Sequence, residues 1–93
     1  MAQIKQVGSS WELSGEVVIN TASPLLAASK LLTLSPNTKI DFSGVTNIDT
    51  ATISLIFEWK RRAQKENQSV QCINLPANLK SLTQLYGVNE MIN

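Results

Sequence analysis

Between Ile40 and Lys60 the hydrophobic pattern changes period within a few residues, and this change limits the possible folds more than any other feature of the chain. Ile40 and Phe42 alternate with polar neighbours, the period of two expected of a half-buried strand. Ser43-Gly44 punctuates the run, and Val45 and Ile48 are apolar positions that would pin a tight loop, 44–48, to a core. Ile53, Ile56 and Phe57 then follow at helical spacing, with Lys60 one turn on, directly after Asp49-Thr50. Asp or Thr at that point can accept hydrogen bonds from first-turn N–H groups that have no partner inside the helix. A strand that hands over to a capped helix in so few residues points to an α/β architecture.

The rest of the chain extends this pattern. Residues 3–7 and 11–19 read as two strands joined by Gly8-Ser9-Ser10, a plausible hairpin turn, with Trp11 and Leu13 on one face. Gly15 marks a bulge or a close backbone approach. Ser23-Pro24 has the form of a helix start, and Leu25, Ala28, Ser29 and Leu32 would be that helix's inward stripe, ending at Ser35-Pro36-Asn37. A strand over 39–43, a helix over 50–66 and a strand over Val70–Leu75 follow. Past Pro76, Leu79, Leu82 and Tyr86 stripe a short helix over 78–86 with Gly87 as its C-terminal cap, and Val88, Met91 and Ile92 are expected to fold back on the core. The order β-β-α-β-α-β-α predicts a single α/β domain over 1–93: a small mixed sheet, an opening hairpin plus parallel strands, with right-handed crossover helices packed on it.

Composition excludes several classes of function. At 93 residues, 43% hydrophobic and 16% charged, the chain has the make-up of an ordinary globular domain. A formal net charge of +1 gives no general attraction to nucleic acid or to a membrane surface. The lone Cys72, in an apolar strand, cannot close an internal disulfide and suits a reducing compartment. The first residues carry no apolar leader, and the strongest apolar run, about Ile53 to Phe57, is far short of a membrane span. A cytoplasmic protein is expected, linked to a membrane only through a partner. Without histidine the commonest general base and metal ligand is missing, and no glycine-rich phosphate loop occurs. Asp41 is expected to buttress the loop rather than bind an ion. Neither catalysis nor a cofactor or metal is expected.

The string Asp41-Phe42-Ser43-Gly44-Val45-x-x-Ile48-Asp49-Thr50 resembles the signature of STAS domains, the fold shared by bacterial anti-sigma factor antagonists and transporter-associated regulators. The resemblance implies that Thr50 is the regulatory hydroxyl, presented at a helix N-terminus where partners dock. In the phosphorylated antagonists the matching Asp-Ser pair commonly continues into Ser-Gly, whereas here Ala51-Thr52-Ile53-Ser54 follows without glycine. That crowding favours docking over phosphorylation of Thr50. Within the family, Trp11, the Asp49-Thr50 pair and the Leu/Trp-rich second helix are most similar to the small stand-alone subunit of Mla-type ABC systems, which move phospholipids between Gram-negative membranes. What this implies is a non-catalytic subunit, peripheral to the inner membrane, that contacts the transporter ATPase and through it the permease and supports outer-membrane lipid asymmetry. The alternative is an anti-sigma factor antagonist, its partner a kinase that phosphorylates Thr50.

The expected docking surface comprises Val45, Thr46 and Asn47 of the loop, Asp49, Thr50, Ala51 and Thr52 at the helix start, and Leu55, Trp59 and Arg62 along one helix face. Trp and Arg are enriched at interface hot spots, so Trp59 is expected either to anchor a partner or to cover a flank of the core. Lys60-Arg61-Arg62 with Lys65 is the one basic cluster, and the interleaved Glu58 and Glu66 make it a solvated face rather than a nucleic-acid site.

Overall fold

The computed structural model describes residues 2–85 and Gly87. Its elements are β1 (Gln3–Val7), β2 (Ser10–Val17), α1 (Ile19–Ser29), β3 (Thr38–Ile48), α2 (Thr50–Lys65), β4 (Val70–Ile73) and α3 (Ala77–Leu85), in the expected β-β-α-β-α-β-α order. One sheet runs β1-β2-β3-β4. β1 is antiparallel to β2, and β2, β3 and β4 are mutually parallel. The α/β mixed sheet therefore stands as expected.

The opening hairpin closes on Val7 opposite Ser10, leaving Gly8 and Ser9 as a two-residue loop. Only Gly8 of that pair has positive φ (60°), as in the II′ turn, whose twist matches that of the strands it joins. The two crossovers step the same way across the sheet, so their common right-handedness lays α1 and α2 on one face. Alternation supplies the core. Trp11, Ile40 and Cys72 are aligned across three strands and all buried, whereas their neighbours Glu12, Asp41 and Ile73 are only half-buried on the opposite face. Trp59 from α2 meets Trp11 edge to face, with ring centroids 6.1 Å apart.

Several boundaries differ from expectation. The presumed loop 44–48 is strand, because β3 runs on to Ile48 and pairs Gly44, Val45, Asn47 and Ile48 with Ser14, Gly15, Glu16 and Val17. The pairing crosses two register shifts, both with the extra residue in β3; at the second, Thr46 bulges out opposite Gly15, whose φ is 81°. A Cβ on Gly44 would lie 2.9 Å from the Leu13 carbonyl oxygen and 3.1 Å from Ser14 Cβ, so glycine is what lets β3 approach β2 here. β2 stops at Val17, and α1 begins at Ile19 rather than after Ser23. The helix starts there because the Thr21 hydroxyl accepts from the Val18 N–H (3.0 Å) and donates to the Glu16 carbonyl (2.7 Å), capping the first turn from inside. Pro24 consequently sits within the helix, where Asn20, whose carbonyl loses its helical partner, is exposed. In the α1 stripe Leu25 and Ser29 are buried, whereas Ala28 is exposed. β4 ends at Ile73, before Asn74, whose φ of 55° bends the chain away. α2 closes with a Schellman arrangement: Gln68 N–H donates to Ala63 O (2.8 Å) and Asn67 N–H to Gln64 O (3.3 Å), with Asn67 at φ 54°. Leu79 is fully buried and Leu82 half-buried, while Tyr86, Val88, Met91 and Ile92 lie outside the described residues.

Two measurements check this packing. Gly44→Ala is expected to cost about 1–3 kcal/mol in urea unfolding, because the new methyl meets backbone rather than a yielding side chain; an unchanged midpoint would show that β2 can give way. Burial pushes the Cys72 thiol up to about 11, so at neutral pH it is almost wholly protonated and shielded. A thiol reagent should therefore label Cys72 only as fast as the chain opens, and prompt labelling of the native protein would contradict the packing.

Candidate functional site

The β3–α2 junction uses its polar groups unevenly. Asp49, in extended conformation, is the N-cap of α2: its Oδ1 accepts from the Ala51 N–H at 2.8 Å. Its Oδ2 accepts from the Ile19 N–H at 3.0 Å, at the start of α1. The Thr52 hydroxyl accepts from the Asp49 N–H (3.3 Å) and donates to the Val17 carbonyl (2.6 Å). Asp49 and Thr52 are thus committed to joining the ends of β2 and β3 to the two helices. Thr50, the first helical residue, is exposed between them.

Thr50 stands at the mouth of a cleft of about 350 Å³ between α1 and α2. Leu26, Ala51 and Leu55 give the cleft apolar walls, and Ile19 at its rim is 71% exposed. Ser23 and Ser54 add hydroxyls beside that of Thr50. Since parallel α1 and α2 start at one carboxylate, the cleft opens where both helices present their N-termini.

Half of the expected docking residues prove to be internal. Thr52 and Trp59 are almost fully buried, and Ala51 and Leu55 contribute only buried floor to the cleft. The Trp59 indole N–H donates to Ser29 Oγ at 2.9 Å, which fixes the ring inside the core and rules out an exposed anchor. Arg62 is turned onto the end of α1: its Nη1 donates to the Ser29 carbonyl (2.9 Å), its Nη2 to the Leu32 carbonyl (2.6 Å) and its Nε to Glu66 (2.8 Å). Its guanidinium also lies 5.6 Å from the Trp11 ring centroid. Val45 is half-buried in the strand, while Thr46 and Asn47 are exposed, with the Asn47 amide 3.4 Å from Glu16 Oε2. Thr46, Asn47 and Thr50 thus remain at the surface. The α1 wall of the cleft was missed because Val17-Val18-Ile19 reads as continuous strand, and placing the helix start at Ser23 concealed it. The available signal was Thr21, a residue type whose hydroxyl can cap a helix that starts at Ile19.

The loop at 44–48 that Asp41 is expected to buttress is strand; the carboxylate instead accepts from the Ser43 N–H (2.9 Å) and the Asn74 amide (3.0 Å), tying β3 to the turn after β4. Those bonds, the Asn74 one foremost, hold its carboxyl below the usual value. Among the described residues no group of three or more His, Cys, Asp or Glu could hold a metal ion. No helix among them is long and apolar enough to cross a membrane.

The division of labour at the junction gives opposite expectations for neighbouring residues. Asp49→Ala removes acceptors from two helix N-termini and should cost about 2 kcal/mol or more in urea unfolding. Thr50→Ala should stay within about 0.5 kcal/mol of the parent, as exposed substitutions do. Comparable losses would mean that Thr50 also holds the fold.

Comparison with known proteins agrees with this architecture. A family model described as "Mlab, STAS domain" matches residues 2–93. No curated protein matches significantly. Among solved structures, the anti-sigma factor antagonist SpoIIAA in its unphosphorylated form is similar at TM-score 0.64 and 11% identity, over 91% of this chain and 83% of that one. The phosphorylated form of SpoIIAA, a Bacillus cell fate determinant, gives 0.67 and 11% over 97% and 86%. A sulfate transporter family protein from Wolinella succinogenes gives 0.71 and 14% over 90% and 70%. At these identities the structural likeness shows the fold, and the family match covers nearly the whole length: the chain belongs to the STAS-domain family.

Proposed function

We propose that this STAS domain is a non-catalytic subunit of an Mla-type ABC phospholipid transporter, and that it docks on the transporter's ATPase through the Thr50 end of the α1–α2 cleft. The observation that carries the reading is the position of Thr50: exposed at the mouth of an apolar cleft, on a turn whose other polar side chains are already satisfied. A hydroxyl and an exposed Ile19 on a rigid base form a preorganised patch, which loses little freedom on binding. The description of the matching family model supports the choice of transporter. Through the ATPase the subunit would reach the permease at the cytoplasmic side of the inner membrane. Its effect is support of the assembled, active ATPase, and it can shift that equilibrium only by binding the active state more tightly than the inactive one.

Anti-sigma antagonism is the competing reading, favoured by the likeness to SpoIIAA and by the same exposed hydroxyl. It requires a soluble kinase partner and phosphate on Thr50. Here Asp49 and its committed carboxylate sit next to any such phosphate and oppose it.

The test is a mild-detergent pull-down from the native host, with partners and the Thr50 peptide read by mass spectrometry, alongside Thr50→Ala. The expected result is an ABC ATPase with its membrane subunits, an unmodified Thr50, and recovery of the complex reduced roughly fivefold or more by Thr50→Ala. A soluble kinase partner with phosphorylated Thr50 would overturn the transporter reading, and full recovery with the variant would remove Thr50 from the interface.

A further inference from the structure

The cleft at Thr50 does not end where its apolar walls do. Leu26 and Glu58 also border a second hollow of about 370 Å³ farther along the same pair of helices. From Ala51 to Lys65 α2 rises roughly 21 Å, so the two hollows, with Leu26 and Glu58 in common, lie end to end along a groove about as long as a four-turn helix. Its two halves differ in chemistry. The first sets apolar Ile19, Ala22, Leu26 and Leu55 beside three hydroxyls and holds no basic residue, with Ile19 exposed at its rim. The second is lined by Lys30, Arg61, Arg62 and Lys65 against the carboxylates Glu58 and Glu66. Both carboxylates are already engaged, Glu58 by Arg61 at 3.1 Å and Glu66 by Arg62 at 2.8 Å. Lys30, at the end of α1, and Lys65, in the last turn of α2, have no ion pair among the described residues, so this half carries two cations in excess.

We infer that the whole groove takes an amphipathic helix of the partner, with apolar side chains over Ile19 and Leu26 at one end and acidic side chains between Lys30 and Lys65 at the other. The inference rests on the docking reading above and specifies the chemistry of its partner. Charge complementarity identifies the occupant. A wholly apolar segment would leave the lysines facing nothing, and a basic one would be repelled at that end. Two parallel helices on one side of a sheet leave a furrow into which a third helix lays its apolar stripe, with anchors three and four residues apart. The apolar end supplies the affinity. The lysine end sets the direction in which the helix lies and speeds its arrival.

The experiment uses the purified full-length chain and the purified ATPase subunit of the host transporter, with affinity measured across a salt series. Lys30→Glu/Lys65→Glu and Ile19→Asp all change exposed side chains, Ile19 being 71% exposed, so the folds should be kept, and urea midpoints near that of the parent check this. The charge-reversed pair is expected to bind roughly tenfold more weakly and to reverse the sign of the salt dependence, since added salt would then screen a repulsion. Ile19→Asp should weaken binding at every salt concentration. Carbodiimide coupling of the wild-type complex, which joins amines to touching carboxylates, should link Lys30 or Lys65 to Asp or Glu on an amphipathic helix of the ATPase. If Ile19→Asp breaks the complex but charge reversal leaves it intact and neither lysine couples, the acidic-helix inference falls while docking at the Thr50 end stands. Coupling to carboxylates on a segment that is not an amphipathic helix also overturns it. If neither variant changes affinity, both readings fall.

Discussion

One carboxylate holds together the end of this structure where β3 passes into α2. The two oxygens of Asp49 reach N–H groups 32 residues apart in the chain, Ile19 and Ala51, at the first turns of α1 and α2. Each of those turns has N–H groups with no partner inside its own helix, and the partial positive charge of both helix ends favours an anion between them. Thr52 adds the link from α2 back to the end of β2. Because four elements meet through two side chains, the rims of the groove cannot move independently. A surface assembled from residues distant in sequence thereby behaves as a single rigid patch, with Thr50 and Ile19 both exposed on it.

The other end is fastened differently. Arg62 donates to two carbonyls at and beyond the C-terminus of α1 while lying against Trp11, and the Trp11 indole donates to Thr33 O at 3.2 Å. Trp59 reaches Ser29 in the same region. α1 and α2 run parallel, an orientation in which helix dipoles repel. An anion shared at the two N-termini and a guanidinium at the C-termini counter that repulsion from both ends. The residues that look like interface anchors by type, Trp59 and Arg62, are spent on this internal fastening.

The sequence carried the fold in its periodicities. The switch from period two to helical spacing after Phe42, the hairpin at Gly8-Ser9 and the Asp49 cap all lie where the residues indicate. It was less legible where long-range contacts decide. Residues 44–48 lack the alternation of a strand, yet they pair with β2 because Gly44 permits the approach and Gly15 absorbs the mismatch. Ser23-Pro24 carries strong start chemistry, but Thr21 captured the helix five residues earlier through contacts with Glu16 and Val18. The candidate site was half legible. The junction alone offers Asp49 and Thr50 as caps and only the STAS resemblance singles out Thr50, whereas the burial of Trp59 depends on Ser29 and Trp11, partners 30 and 48 positions away that no local pattern reveals.

The sheet's second face has a consequence for size. Parallel strands ordinarily need helices on both sides, so a doubly covered sheet demands a long chain. Here the strands alternate, and the face away from α1 and α2 carries Lys5 paired with Glu12 at 3.7 Å, the hydrogen-bonded Asp41 and the exposed Gln71. Water takes the place of a third layer. A sheet with three parallel strands can therefore close within a 93-residue chain, as a slab 20 Å through its thinnest dimension that leaves one whole sheet face to solvent.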